Sequence, residues 1–208
     1  MKKSAVIGIT GGIGSGKSTI LELLKNEYDG FVIEADKVGH ILMEPGNPAY
    51  TQIVDYFGKD ILNPDNTINR KKLGNIVFVD NGKLDKLNSI IHPLVKKYIS
   101  NFINETKSKN DCCLIFVEAA LLIEDNYDEI CDYLWYIFAD KDIRFERINK
   151  SRNMTRTAFE NIVNNQLSDD AFRNKCDVVI DNSFTSENTK EQIDRALESV
   201  WNGDGYGR

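Results

Sequence analysis

Residues Gly11-Gly12-Ile13-Gly14-Ser15-Gly16-Lys17-Ser18 fit the spacing G-x-x-x-x-G-K-[ST], a pattern suited to holding phosphate. Glycines let the backbone turn so that successive N–H groups point inward at phosphate oxygens. A helix that begins at the end of the loop adds the positive end of its dipole. Lys17 can reach the outer phosphates, and the Ser18 hydroxyl can hold a magnesium ion. Gly12, Ile13, Gly14, Ser15, Gly16, Lys17, Ser18 and Thr19 are therefore the candidate nucleotide cradle. A glycine-rich turn without a ligand is the plainer reading. It is weakened by the flanks: Val6-Ile7-Gly8-Ile9 reads as a strand, and Ile20, Leu21, Leu23 and Leu24 as a helix, which is the context the mechanism needs. The loop alone does not separate a kinase from a GTPase switch or an ATPase.

A second constellation lies between residues 141 and 156, where Lys141, Arg144, Arg147, Lys150, Arg152 and Arg156 face only two acids, Asp142 and Glu146. Arg144 and Arg147, three apart, share a helical face. One reading is a solvated helix carrying i,i+4 ion pairs. The other, favoured by the phosphate loop, is a lid over about 141–166 whose arginines neutralise charge on a transferring phosphoryl group. Arg152-Asn153-Met154-Thr155 lacks helix signals and suits the lid tip.

Three further polar residues carry two readings each. Asp36 follows a strand-like run and precedes a helical one, so it is either a helix N-cap or a base for a substrate hydroxyl. Glu118 either completes a magnesium shell through water or is a polar strand end. His92, before Pro93, is either a substrate contact or a structural histidine.

Apolar runs near residue 6, at Phe31-Val32-Ile33, Cys112–Val117, Tyr133–Ala139 and Val178-Val179-Ile180 predict five strands alternating with helices. The fold class is α/β, a mainly parallel five-stranded sheet flanked by helices. Residues 37–57 read as helical with a break at Pro45–Pro48, and Arg70 to about Thr106 as helical with a kink or boundary at His92-Pro93. That helical stretch exceeds what a strand crossover needs, which predicts a core of about 1–36 and 111–202, and an insertion of about 37–110 on the substrate side. The last helix runs from about Ser186 to Trp201, and residues 203–208 read as a flexible tail. Ligands of such sheets sit at the carboxyl ends of the strands, which brings Asp36, Glu118, the segment after Ala139 and Asp181-Asn182-Ser183 to the edge that carries the loop.

A net charge of −6 over 208 residues argues against a general nucleic-acid binder. No run is long enough to cross a membrane, and the start lacks the pattern of a secretion signal. Four cysteines (Cys112, Cys113, Cys131, Cys176) without metal-ligand spacing read as reduced thiols, buried where they fall in apolar runs, in a cytoplasmic protein.

Several segments resemble the dephospho-CoA kinase family: Gly8-Ile9-Thr10-Gly11-Gly12 leading into the loop, Glu34-Ala35-Asp36, Ile91-His92-Pro93, Leu121-Leu122-Ile123-Glu124, Arg147, Arg152, Gln166, and Asp177 to Asn182. The likeness spans nearly the whole chain. It implies a P-loop kinase fold and transfer of phosphate from ATP, with Mg2+, to the ribose 3′-hydroxyl of dephospho-CoA. By the resemblance Asp36 is the base, Lys17 the phosphate-binding lysine, and Arg147 and Arg152 the lid arginines. Asn182 falls on the nucleotide side, and Thr10, His92, Leu121, Leu122 and Gln166 on the acceptor side. The helical insertion corresponds to the part that binds the CoA moiety. The chain departs from the family pattern at Glu34 (usually Asp), Ala120 (commonly Pro) and Asn153 (usually Asp).

Two rival readings remain. Another small-molecule or nucleoside kinase shares the loop. A GTPase switch is suggested by Asn174-Lys175-Cys176-Asp177, which spells N-K-x-D, but this motif precedes a strand and so falls at the sheet edge opposite the loop.

Overall fold

The five apolar runs form one sheet in the computed structural model, which describes residues 4–110 and 112–202. The strands are β1 (Ala5–Thr10), β2 (Phe31–Glu34), β3 (Leu114–Glu118), β4 (Tyr133–Phe138) and β5 (Val178–Asp181). Their order is β2-β3-β1-β4-β5, and β1 runs parallel to β3 and β4, as β4 does to β5. All six residues of β1 are buried, which is why its sequence is apolar without alternation. Ile7, Ile9, Phe116, Trp135, Ile137 and Ile180 form the centre of the core.

Two aspartates fix the register at the amino ends of the strands. Val6 N–H donates to Asp132 Oδ2 at 2.7 Å while Asp132 N–H donates back to the Val6 carbonyl at 2.8 Å. Asp177 repeats the device one strand further on: its Oδ2 accepts from Leu134 N–H at 2.7 Å, and its N–H donates to the Leu134 carbonyl at 2.8 Å. Asp177 is the last residue of the N-K-x-D sequence. Its carboxylate serves the strand starts, the edge away from the loop, so the guanine-reading interpretation falls.

From β1 the chain moves out across β3 to β2, and from β4 it moves the other way to β5. The direction therefore switches between β1 and β4, and the crevice at their carboxyl ends is the expected ligand position. The loop after β1 and the start of α6 (Lys141–Arg152) after β4 both open there. The other helices of this unit are α1 (Lys17–Glu27), α7 (Arg156–Asn164), α8 (Asp169–Lys175) and α9 (Ser186–Asn202).

Residues 33–104 form a second compact unit. It contains α2 (Ala35–Leu42), α3 (Pro48–Phe57), α4 (Arg70–Phe78) and most of α5 (Asn81–Lys109). The break expected at Pro45–Pro48 is present, with Pro48 as the first residue of α3. The turn at Asn63–Asn66 is closed by the Asn66 N–H on the Asn63 carbonyl, 3.0 Å, and by an Asn63–Thr67 backbone bond.

Of the kink or boundary expected at His92-Pro93, the boundary is not there, because α5 runs through Pro93. The division falls earlier, at Val79-Asp80, where the Asp80 carboxylate accepts from Lys83 N–H at 3.1 Å and caps the new helix. Burial of Val95, Ile99 and Ile103 along one stripe after Pro93, and of Ile90 before it, packs the helix on both sides of the missing proline donor. Among the cysteines, Cys113 and Cys131 are buried, but Cys112 is exposed because β3 begins only at Leu114. Cys112 and Cys113 are free thiols. The tail at 203–208 lies outside the described residues.

Candidate active site

The loop after β1 ends in Gly16, which caps α1 in the left-handed region at φ 91°. No side chain caps this helix, so the amides of Ser18 and Thr19 in its first turn are left without intrahelical acceptors and open to an anion. Lys17 Nζ donates to the Gly11 carbonyl at 2.7 Å and stands 3.9 Å from Glu118 Oε1. Ser18 and Thr19 are exposed beside it. Thr10 Oγ1 and Ser15 Oγ, at either end of the turn, are buried and have no hydrogen-bond partner among the described residues.

Three neighbouring segments hold the loop. From the end of β5, Asn182 Nδ2 donates to the Ser15 carbonyl at 2.8 Å, and Thr189 Oγ1 donates to Asn182 Oδ1 at 3.0 Å. From α6, Arg147 reaches the Ser15 carbonyl at 3.4 Å and the Asn182 carbonyl at 2.7 Å. One turn earlier on α6, Arg144 Nε donates to the Ile13 carbonyl at 2.8 Å. From the link between α7 and α8, Gln166 Oε1 accepts from Ile13 N–H at 3.0 Å. The packing leaves no room for a side chain at the glycines of the loop: at Gly14 (φ 78°) a Cβ would lie 2.6 Å from the Arg144 carbonyl oxygen, and at Gly16 it would overlap the Asn182 amide.

The basic stretch divides by direction. Arg144 and Arg147 turn toward the loop, and Arg144 is only 4% exposed. Arg156 instead makes surface pairs with Asp142 at 2.7 Å and Glu160 at 3.1 Å, which raise its pKa, first through the bond to Asp142. Arg152 closes α6, exposed, with no hydrogen bond or ion pair among the described residues. Residues 153–155 are a helix-to-helix turn. Asn153 takes the left-handed conformation (φ 50°) and its N–H bonds the Asn149 carbonyl, while Thr155 caps α7 by accepting from Ala158 N–H. Arg144 is the residue that sequence reasoning left out of the site. Its three-residue spacing from Arg147 was the available signal.

Asp36 is exposed in the first turn of α2, whose N-cap is Glu34, and makes no capping bond, so the cap reading falls. His92 lies half-buried inside α5. Leu121 is 42% exposed, but Leu122 is fully buried, packed where a Cβ on Gly8 would meet it, so only Leu121 of this pair is open to a ligand. Thr10 is likewise wholly buried. A groove of about 500 Å³ lies between α1 and the start of α9, lined by Thr19, Leu23, Asn182, Ser186, Thr189 and Lys190. Among the described residues no cluster of three His, Cys, Asp or Glu side chains could hold a metal ion. Magnesium rarely needs such a cage, since it keeps waters and shares substrate phosphates, and an exposed Ser18 hydroxyl at the loop fits that mode.

A parallel sheet whose central strand runs into a glycine loop and an uncapped helix start, braced by arginines from the following strand's helix, defines a P-loop kinase fold. The dephospho-CoA kinase family model matches residues 5–188. The chain belongs to the dephospho-CoA kinase family, a family of phosphotransferases. It is 37% identical over 201 residues to the dephospho-CoA kinase of Oceanobacillus iheyensis, covering 95% of this chain and 98% of that one. In structure it is similar to a Thermus thermophilus protein (TM-score 0.78, 24% identity, 95% of this chain and 98% of the other). It is also similar to the dephospho-CoA kinase of Campylobacter jejuni (TM-score 0.71, 23% identity, 96% and 98%). These two likenesses bear on the fold; the sequence matches carry the family.

Proposed function

We propose that the protein transfers the terminal phosphoryl group of ATP to the ribose 3′-hydroxyl of dephospho-CoA, giving CoA and ADP, the last step of coenzyme A synthesis. The observation that carries this reading is the braced loop Gly11–Ser18 in a chain matched by the dephospho-CoA kinase model over residues 5–188. The amides of the loop and of the α1 start bind the phosphates, and the ammonium of Lys17 neutralises charge on them. The base of the nucleotide occupies the groove between α1 and α9, where Thr19 and Asn182 line its wall. Arg147 and Arg152 stabilise charge that develops on the transferring group. Asp36, uncommitted to a cap, accepts or orients the proton of the attacking hydroxyl. His92, Leu121 and Gln166 serve the acceptor side, and the helical insertion of about residues 37–110 holds the CoA moiety.

Ser18, and Glu118 through water, would hold magnesium, which when bound would offset the charge of the phosphates. Among the described residues no helix is long and apolar enough to cross a membrane, which fits a cytoplasmic enzyme acting on small molecules. The test is an assay of purified protein with ATP and a panel of acceptors. Phosphorylation of dephospho-CoA in preference to adenosine, AMP or shikimate is expected; preference for any of the others would refute the reading. Comparing ATP with GTP as donor tests the nucleotide assignment separately.

A further inference from the structure

Two consecutive peptides of the phosphate loop are held from outside, by the side chains of Gln166 and Arg144. Ile13 N–H is taken by Gln166 at 3.0 Å, and the Gly12 carbonyl at the other side of that peptide accepts from Ser15 N–H at 3.2 Å. The Ile13 carbonyl, in the next peptide, is taken by Arg144 Nε at 2.8 Å. In a trans peptide C=O and N–H point in opposite directions, so the bond to Arg144 aims Gly14 N–H away from α6. Gly14 sits at φ 78°, and glycine adopts either sign of φ with nearly equal ease. The backbone by itself therefore does not choose between this peptide orientation and its flipped form, in which a carbonyl oxygen replaces the N–H.

Arg144 is placed to make that choice. Its guanidinium is buried against Gly12, where a Cβ would collide with it. Asp169 Oδ1 stands 3.7 Å from Nη1, and the Phe159 ring lies 5.9 Å from the guanidinium carbon. Asp169 is itself fixed by the Tyr136 hydroxyl, which donates to it at 2.6 Å. Desolvating a guanidinium is costly, and a buried ion pair is often no more stable than an apolar replacement. A buried charge that specifies one backbone orientation has a reason to be there that stability alone does not supply.

We propose that Arg144, oriented by Asp169 and Tyr136, is a positioning residue that locks the Ile13–Gly14 peptide with its N–H as a donor toward the β- and γ-phosphates of the nucleotide. The lock rests on the reading that this loop holds nucleotide phosphates. Without it the peptide samples the flipped form and presents an oxygen to an anion. Because the groups that reach Ile13 come from α6 and from the α7–α8 link, the lock also ties the helices of the basic segment to the donor geometry of the loop.

Calorimetric titration of ADP and AMP into the wild type, Arg144→Met and Asp169→Asn tests this. Methionine keeps the length of the side chain and removes the donor. Wild type is expected to bind ADP more tightly than AMP. Arg144→Met should weaken ADP by about 10- to 100-fold, the loss of one hydrogen bond to a charged group, with AMP changed by less than about twofold. Asp169→Asn, which keeps an acceptor for Tyr136, should show the same selective loss at about 3- to 10-fold. Unchanged ADP affinity in Arg144→Met, or equal losses for both nucleotides, overturns the lock. If Arg144→Met does not fold, Asp169→Asn decides, and an unchanged ADP-to-AMP ratio there overturns it. A wild type that binds ADP no better than AMP overturns the phosphate reading of the loop, and the lock with it.

Discussion

The side-chain amide of Asn182 donates to the Ser15 carbonyl at 2.8 Å, fastening the loop after the first strand to the loop after the last. The same amide occupies the space into which a side chain on Gly16 would point. Gly16→Ala therefore meets two obstacles, a positive φ costing roughly 1–2 kcal/mol and a collision with Asn182. Thermal unfolding and ADP titration should show lower stability together with loss of nucleotide binding. Asn182→Ala removes the bond without the collision, and about 1 kcal/mol of destabilisation is expected with partial binding retained.

Asp36 makes no helix cap, so its replacement should leave the fold nearly untouched. For Asp36→Asn we expect kcat to fall by about 10² or more while ATP affinity stays unchanged. Steady-state kinetics beside an equilibrium nucleotide titration checks this. Turnover equal to wild type would remove Asp36 from the chemistry.

Substitutions of Arg147 and Arg152 should both slow phosphoryl transfer but should separate in stability. Arg147→Ala deletes donors to two carbonyls, Ser15 and Asn182, and should cost about 1–3 kcal/mol. Arg152→Ala removes an exposed side chain without partners among the described residues and should stay within about 0.5 kcal/mol of wild type. Chemical denaturation paired with single-turnover rates distinguishes the two.

Leu121 and Leu122 offer an adjacent pair with opposite consequences. Leu122→Ala empties a fully buried position beside β1 and should cost about 2–5 kcal/mol. Leu121→Ala should leave stability within about 0.5 kcal/mol and raise KM for the acceptor alone. An unchanged acceptor KM would take Leu121 out of the site.

Burial, and then the bond to Asp169, push the Tyr136 phenol above its usual range. A raised folded-state pKa gives a contribution that is fully present below the unfolded value, about pH 10, and is lost as pH rises through the folded one. Unfolding free energy should therefore decline above about pH 10, and Tyr136→Phe should reduce that slope. Tyr28, shifted the same way by burial and Asp194, keeps its share of the decline in the variant.

The sequence by itself determined the strands, the loop and the start of its helix. Those depend on local rules: apolar runs for strands covered on two faces, glycines where φ must be positive, a lysine at a helix start. It also showed that Arg144 and Arg147 share a face, because helical periodicity is a property of the chain alone. Only the tertiary structure decided that this face meets the loop while Arg156 stays in surface pairs, since periodicity orders residues around a helix without saying what lies beside it. The same holds for Leu121 and Leu122, identical in type and adjacent in sequence, of which one is buried beneath β1 and the other exposed. Asp80 rather than Pro93 divides the long helical stretch, because a capping carboxylate and a buried stripe outweigh one missing donor. What stayed out of reach of the sequence was orientation: which carbonyl an arginine meets depends on contacts between segments more than a hundred residues apart.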